Sequence, residues 1–140
     1  MQNRYTGDVG DFSKFALLSA LCGTDLRLGV MWYLNEAEEA NSDGQFTKYE
    51  KLRPCAEVLH NKLSLILQNP TRSLSAVETG QILPPSTLFY REPLPSSNKL
   101  CSTAESKAQQ MQCREAWFMN GFQQLSNAEL VFLDPDNGVA

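Results

Sequence analysis

The sequence lacks several features that would assign it to a familiar class of protein. No apolar run approaches the ~20 residues needed to cross a bilayer, and the N-terminus has no apolar segment of the signal-peptide type. Neither the Gly-x-Gly-x-x-Gly pattern of dinucleotide-binding loops nor a Walker A loop is present. We therefore expect a cytoplasmic protein without a membrane partner.

Cysteine and histidine are too few and too scattered for a structural zinc site. The chain has one histidine and four cysteines, and no Cys-x-x-Cys pair occurs among them. Structural zinc usually needs at least one close pair, and a disulfide framework is not expected without a secretory signal. The cysteines are therefore expected to be free thiols: Cys22, Cys55, Cys101 and Cys113.

Basic residues are not in excess. Lys and Arg number 12 against 16 Asp and Glu, which gives a formal net charge of -4. Because phosphate binding needs clustered Lys and Arg, strong nonspecific affinity for nucleic acid is not expected, whereas one local basic groove would be compatible. With 42% hydrophobic and 20% charged residues, the chain has the composition of one globular domain, and we expect a single domain over residues 1–140.

Apolar periodicity predicts alternating helices and strands. Segment 73–79 is ambiguous and fits either a short helix or a strand. A long helix is predicted to run to about Leu125, and its buried face is expected to contain Ala104, Ala108, Met111, Trp117 or Phe118, and Leu125. Strands separated by helices predict the α/β class with a mainly parallel sheet. The predicted elements are a helix over about 12–22 with Asp11 as N-cap and Gly23 after its end, a buried strand over 28–34, a helix over about 54–68 with Pro54 in its first turn, a short strand over 87–90, a helix from the capping-box pattern Ser102-Thr-Ala-Glu105 to about Leu125, and a strand over 130–133.

The motif that ends the chain carries the most chemistry. The apolar run 130–133 leads directly into Asp134-Pro135-Asp136-Asn137-Gly138, as expected of a strand that presents carboxylates at the carboxyl edge of a parallel sheet, where ligands bind. Asp134 would accept a hydrogen bond from an exocyclic amine, or Asp134 and Asp136 with the Asn137 amide would hold Mg²⁺ for phosphoryl chemistry. Since the chain stops two residues later, we expect further strands to follow in a longer protein.

Two Gly-Asp pairs stand before the first predicted helix. The pairs Gly7-Asp8 and Gly10-Asp11 precede Lys14 in the first turn. A loop of this kind lets the backbone approach a ligand closely, and a helix N-terminus favours anions. A capped turn in which Asp11 satisfies backbone N–H groups explains the same residues.

Two further clusters follow predicted strands. An acidic loop after the first strand contains Asp43-Gly44, which is a candidate ligand for a ribose or a cation or simply part of a solvated loop. Phe89-Tyr90-Arg91 ends the second strand, where an aromatic pair and an arginine are suited to stacking on a base and holding a phosphate. A strand end with a solvated ion pair is the alternative for Arg91.

The run Gly-Asp-Val-Gly-Asp-Phe-Ser-Lys-Phe resembles the N-terminal element of bacterial N6-adenine rRNA methyltransferases, and the match rests on Gly10, Asp11 and Lys14. Asp134-Pro-Asp-Asn137 resembles the Asp/Asn-Pro-Pro-Tyr/Phe motif of amino-methyltransferases. The full set of motifs, which includes Gly-Val-x-Trp-Tyr-Leu and Phe-Leu-Asp-Pro-Asp-Asn-Gly, also resembles a group of uncharacterised bacterial proteins.

The resemblance implies a Rossmann-like domain with flanking helices that uses S-adenosylmethionine (SAM) and methylates an amino group of nucleic acid. It implies that Asp134 orients the amine and Pro135 shapes the turn, that Gly10, Asp11 and Lys14 support the cofactor side, and that Asp43 meets the cofactor. No metal site is implied. The chain differs from the family in having no glycine between Leu34 and Gly44 and in having Asn137 where an aromatic residue stacks on the flipped base.

Two alternatives remain open. A metal-dependent phosphoesterase or nuclease would use Asp134, Asp136 and Glu92 with Mg²⁺, and a non-catalytic protein of the same fold would use its surface for partners. The sequence does not indicate the oligomeric state.

Overall fold

The computed structural model describes residues 3–23, 25–34, 44–69, 72–95 and 104–135. Among them are two 3₁₀ helices, Asn3–Tyr5 and Glu50–Cys55. The helices and strands are α1 (Val9–Cys22), β1 (Leu28–Trp32), α2 (Glu57–Leu67), α3 (Leu74–Thr79), β2 (Leu88–Tyr90), α4 (Ala104–Gln124) and β3 (Leu130–Asp134).

The three strands form one parallel sheet in the order β2-β1-β3, which confirms the α/β class. On one side of β1, Met31 is in register with Tyr90, and on the other side Trp32 is in register with Asp134. All five residues of β1 are buried, as predicted. The side chains of 130–133 are only half-buried, because β3 has one neighbour among the described strands and lies at the edge of the sheet.

Side chains of β1 alternate between two hydrophobic cores, one on each face of the sheet. Leu28, Val30 and Trp32 pack in the core that contains α1, α2 and α3. Met31 packs on the opposite face with Tyr90 and with Trp117 of α4. The sheet is therefore covered by helices on both faces.

Helix α1 begins three residues earlier than predicted, and its N-cap is Asp8 rather than Asp11. The Asp8 carboxylate accepts a hydrogen bond from the backbone N–H of Asp11 at 2.9 Å. Asp11 lies in the first turn, and its own carboxylate accepts from the backbone N–H of Gly7 at 2.9 Å. This reciprocal arrangement resembles a capping box, and it depends on Gly7, whose φ of +83° suits glycine.

Three other predictions are resolved or corrected by the structure. Segment 73–79 is a helix capped by Ser73, whose hydroxyl accepts from the N–H of Ala76. Pro54 lies inside the 3₁₀ helix instead of the first turn of α2, because Ala56 N–H closes that 3₁₀ helix on Arg53 and α2 begins at Glu57. Cys22, Cys55 and Cys113 are free thiols as predicted, while Cys101 and the proposed cap Ser102 lie outside the described residues.

The buried face of α4 was predicted only in its C-terminal half. Trp117 and Leu125 are buried, whereas Ala108 and Met111 are exposed. A helix of 21 residues is about 31 Å long, while strands of five residues span about 17 Å. The first half of α4 therefore extends past the sheet that its second half covers. In the described part of the chain, no helix has both the length and the apolarity needed to cross a membrane.

Candidate functional site at the carboxyl edge of the sheet

The order of the strands predicts a ligand-binding position at their carboxyl ends. From β1 the chain passes to β2 on one side and then returns to β3 on the other side, so its direction across the sheet reverses at β1. In open α/β sheets, ligands bind where this reversal separates two neighbouring strands, outside their carboxyl ends. In this chain, that position lies between the ends of β1 and β3, next to Trp32 and Asp134.

Lys14 of α1 joins two buried carboxylates at this position. Its Nζ lies 2.8 Å from Oδ1 of Asp134 and 2.9 Å from Oδ1 of Asp11. The side chains of Asp11 and Asp134 are 1% and 6% exposed, whereas that of Lys14 is 32% exposed. The three side chains are called the Asp11–Lys14–Asp134 triad below. It ties the first turn of α1 to the end of β3, 120 residues further along the chain.

Burial and pairing oppose each other in the triad. Burial raises the pKa of Asp11 to about 6, although Lys14 and the N–H of Gly7 act to lower it. For Lys14, burial acts to lower the pKa, but the two carboxylates outweigh it and raise the pKa above its ordinary value. Burial also raises the pKa of the neighbouring Tyr49 to about 12, helped by Asp11 and Asp8. Tyr49 is thus a hydrogen-bond donor, and its hydroxyl donates to the Gly7 carbonyl at 2.9 Å.

Two carboxylate oxygens of the triad are left without a hydrogen bond inside the described structure: Oδ2 of Asp134, and Oδ1 of Asp11, whose contact with Lys14 is an ion pair. Asp134 uses Oδ1 for Lys14, while its buried Oδ2 has no partner among the described residues. The hydroxyl of the fully buried Thr6, which precedes Gly7, is also without one. An unpaired buried acceptor costs about 1–3 kcal/mol, so Oδ2 of Asp134 would gain from a ligand that donates an N–H or O–H.

The structure brings together only some of the residues that the sequence singled out. Asp11, Lys14 and Asp134 meet, and Pro135 directly follows β3. Gly10 lies nearby in the first turn of α1 but is exposed, and a Cβ placed there would meet Oδ1 of Asp8 at 3.1 Å. Asp43, Asp136 and Asn137 lie outside the described residues.

A second ion pair that sequence reasoning missed lies across Trp32 from the triad. The Trp32 indole N–H donates to Oε1 of Glu78 in α3 at 2.9 Å, and Arg91, which follows β2, contacts Oε2 of Glu78 at 2.6 Å. The Glu78 side chain is 7% exposed and that of Arg91 is 65% exposed. Nothing in the sequence links Glu78 to Arg91, because their proximity depends on how α3 packs on the sheet.

Metal-ligating side chains are not clustered within the described ranges. No group of three or more His, Cys, Asp or Glu residues there is arranged to hold a metal ion. At the carboxyl end of β3, the Lys14 ammonium lies where a cation bound to Oδ1 of Asp134 would have to sit.

Comparisons of the chain with protein-family models, with curated proteins and with solved structures found no match.

Proposed function

We propose that the chain is a Rossmann-like domain of the SAM-dependent methyltransferase kind and that it methylates an amino group of nucleic acid. The observation that carries the proposal is the state of Asp134. Its carboxylate lies where β1 and β3 end side by side, is held through Oδ1, and keeps Oδ2 as a buried acceptor without a partner among the described residues. An amino group is the kind of ligand that such an oxygen favours, because it donates N–H.

In this proposal Asp134 binds and orients the amine. Its Oδ2 accepts one N–H of the substrate, which turns the nitrogen lone pair toward the methyl donor. Lys14 fixes the carboxylate at 2.8 Å, so the acceptor is in place before the substrate arrives. Asp11 acts one step further away, because it is buried and holds Lys14 instead of reaching the position between the ends of β1 and β3.

The described residues fit SAM in one respect. An ammonium has three N–H donors. Lys14 donates one of them to Asp134 and forms an ion pair with Asp11. Since about a third of the Lys14 side chain is exposed, a further donor is available for an acceptor on the cofactor, such as its carboxylate. The cofactor supplies the methyl group, and the chain supplies the site that orients the amine.

The metal-dependent alternative has less support from the geometry. It requires Asp134 to bind Mg²⁺ with Asp136, which lies outside the described residues, and with Glu92, which follows β2 on the other side of β1 from Asp134. The Lys14 ammonium would also have to leave Asp134 before a divalent cation bound there.

Calorimetric titration with S-adenosylhomocysteine, followed by transfer of labelled methyl groups from SAM to mixed RNA and DNA, tests the proposal. We expect Asp134→Ala to retain S-adenosylhomocysteine binding and to lower the rate of methyl transfer roughly a hundredfold. Glu92→Gln, which changes an exposed carboxylate at the same edge of the sheet, is the control and should retain transfer. Folded protein that gives no heat with S-adenosylhomocysteine would refute the proposal. A saturable Mg²⁺ signal lost in Asp134→Ala would replace it with phosphoesterase chemistry, and the absence of both signals would favour a non-catalytic role.

A further inference from the structure

Arg91 differs from an ordinary surface arginine in the way it is held. Its guanidinium contacts a carboxylate that is itself buried, since the Glu78 side chain is 7% exposed and accepts the Trp32 indole N–H through its other oxygen. The same guanidinium lies over the Phe89 ring, 5.9 Å from its centroid. Phe89 in turn stacks on Trp32, with the ring planes 9° apart.

These contacts fix the guanidinium while leaving most of it in solvent. A guanidinium carries five N–H donors in a planar fork, and the contact with Glu78 is made through one terminal nitrogen. The Arg91 side chain is 65% exposed, so donors remain turned outward. Holding an arginine before it binds reduces the side-chain entropy that binding would otherwise cost.

Arg91 and the triad lie on the same edge and the same face of the sheet. Because Met31 is in register with Tyr90, Arg91 follows at the level of Trp32, and Trp32 is in register with Asp134. Phe89 and Trp32 belong to the core on the α1 side, and Lys14 of α1 reaches Asp134 from that side. With strands about 4.8 Å apart, Arg91 and Asp134 are separated by roughly 10 Å across the ends of three strands.

We infer that Arg91 is a phosphate-binding residue that holds a phosphodiester group of a nucleic-acid substrate beside the site at Asp134. The inference rests on the proposed function for the identity of the substrate, and on the geometry for the anion. A planar fork fits the oxygens of a phosphate, and SAM carries no phosphate, so the anion belongs to the substrate. With a net charge of -4, the chain has little background affinity for nucleic acid, and the loss of one fixed cation should be measurable.

Fluorescence anisotropy with a short labelled single-stranded RNA, and with DNA of the same sequence, tests the inference over a series of salt concentrations. We expect Arg91→Met to weaken binding about tenfold and to reduce the slope of log K against log salt by about one. Arg114→Met, at an exposed arginine of α4, is the matched control and should leave both quantities unchanged. Arg91→Lys should lose part of the affinity but retain the slope, because it keeps the charge without the fork.

Removing Arg91 alone leaves a buried carboxylate without its cation, so Glu78→Gln/Arg91→Met is the second variant. The amide oxygen that Glu78→Gln introduces still accepts the Trp32 indole N–H. The double variant should bind RNA as weakly as Arg91→Met while being more stable than Arg91→Met. If Arg91→Met binds RNA no more weakly than the control Arg114→Met, the inference is overturned. Loss of S-adenosylhomocysteine affinity in Arg91→Met would also overturn it, since the arginine would then belong to the cofactor. A chain that binds RNA through Arg91 without binding S-adenosylhomocysteine would support the inference and refute methyl transfer.

Discussion

Replacing Lys14 by methionine should destabilise the protein, and the loss should depend on pH. The change removes the ammonium that contacts both Asp11 and Asp134 and keeps a side chain of similar length. Removing one partner of a buried ion pair costs about 3–5 kcal/mol. Because a third of the Lys14 side chain is exposed, solvent screens part of this, and we expect a loss of about 2–3 kcal/mol at neutral pH.

The sign of the pH dependence follows from Asp11. Its pKa is raised from 3.8 to about 6, which corresponds to about 3 kcal/mol for ionising it in the fold. A carboxyl group whose pKa is higher in the folded than in the unfolded protein stabilises the fold fully at pH values below its unfolded pKa. This contribution is lost as the pH rises through its folded pKa. Since Lys14 lowers the pKa of Asp11, that pKa should be higher still in Lys14→Met, and the stability of the variant should go on falling to higher pH. The difference between Lys14→Met and the unaltered protein should therefore be smaller at about pH 5 than at about pH 8.

Urea denaturation followed by circular dichroism over this pH range measures the effect. A loss of about 2–3 kcal/mol should lower the midpoint by roughly 1–2 M urea. Lys107→Met, at an exposed position of α4, is the control and should shift the midpoint little at any pH. Asp11→Asn/Lys14→Met should recover part of the stability, because the amide oxygen can still accept the N–H of Gly7. A deficit that is equal at all pH values, or no larger than that of the control, would refute the account of the triad.

Three further substitutions test other parts of the structure. Asp8→Ala should lose about 1 kcal/mol by thermal melting, and Asp8→Asn much less, because asparagine also caps helices; equal losses would contradict the cap. Gly121→Ala should cost about 1–3 kcal/mol in urea denaturation, since a Cβ there would meet Met31 and lie 2.9 Å from the Tyr90 ring; a neutral result would mean that α4 packs less closely than described. Tyr49→Phe should cost about 1 kcal/mol in the same assay by removing the donor to the Gly7 carbonyl, and a stabilising effect would contradict that hydrogen bond.

Local patterns predicted the elements but not their details. The strand over 28–34 and the helices after it follow from apolar runs and periodicity, and these depend only on near neighbours. The N-cap was misplaced because Gly7-Asp8 and Gly10-Asp11 are alike in sequence. The capping-box spacing, in which a second acceptor follows the cap by three residues, favours Asp8 and would have distinguished them.

The exposed half of α4 could not be predicted from its own sequence. At 3.6 residues per turn, Ala108, Met111, Phe118 and Leu125 lie on one stripe, so periodicity assigns them to one face, whereas Trp117 lies about half a turn away from Ala108. Whether a face is buried depends on what lies opposite, and the strands of this sheet are shorter than the helix. The extent of the core is thus a property of the sheet, which the helix sequence does not contain.

The candidate site was predicted in part, because each half of it carries its own local signal. Asp134 follows an apolar strand, and Asp11 and Lys14 lie in a helix start next to glycine. The ion pair between the halves depends on β3 lying beside β1, which places its end next to the first turn of α1. Arg91 was singled out for the same local reason, yet its partner is the buried Glu78 of α3 and not a neighbour in sequence.

The triad makes the position of Asp134 dependent on the first turn of α1. Asp134 is held through Lys14, and Lys14 pairs with Asp11 in the first turn of α1. That turn is itself fixed by Asp8 and Gly7 through the capping hydrogen bonds. Weakening the cap should therefore disturb the carboxylate without any substitution at the ends of β1 and β3. Asp8→Glu keeps the negative charge but lengthens the side chain, so it would displace the cap and leave the triad's own charges intact. If Asp134 acts as proposed, such a variant should lose methyl transfer more than it loses S-adenosylhomocysteine affinity, because the misplaced group is the one that orients the amine.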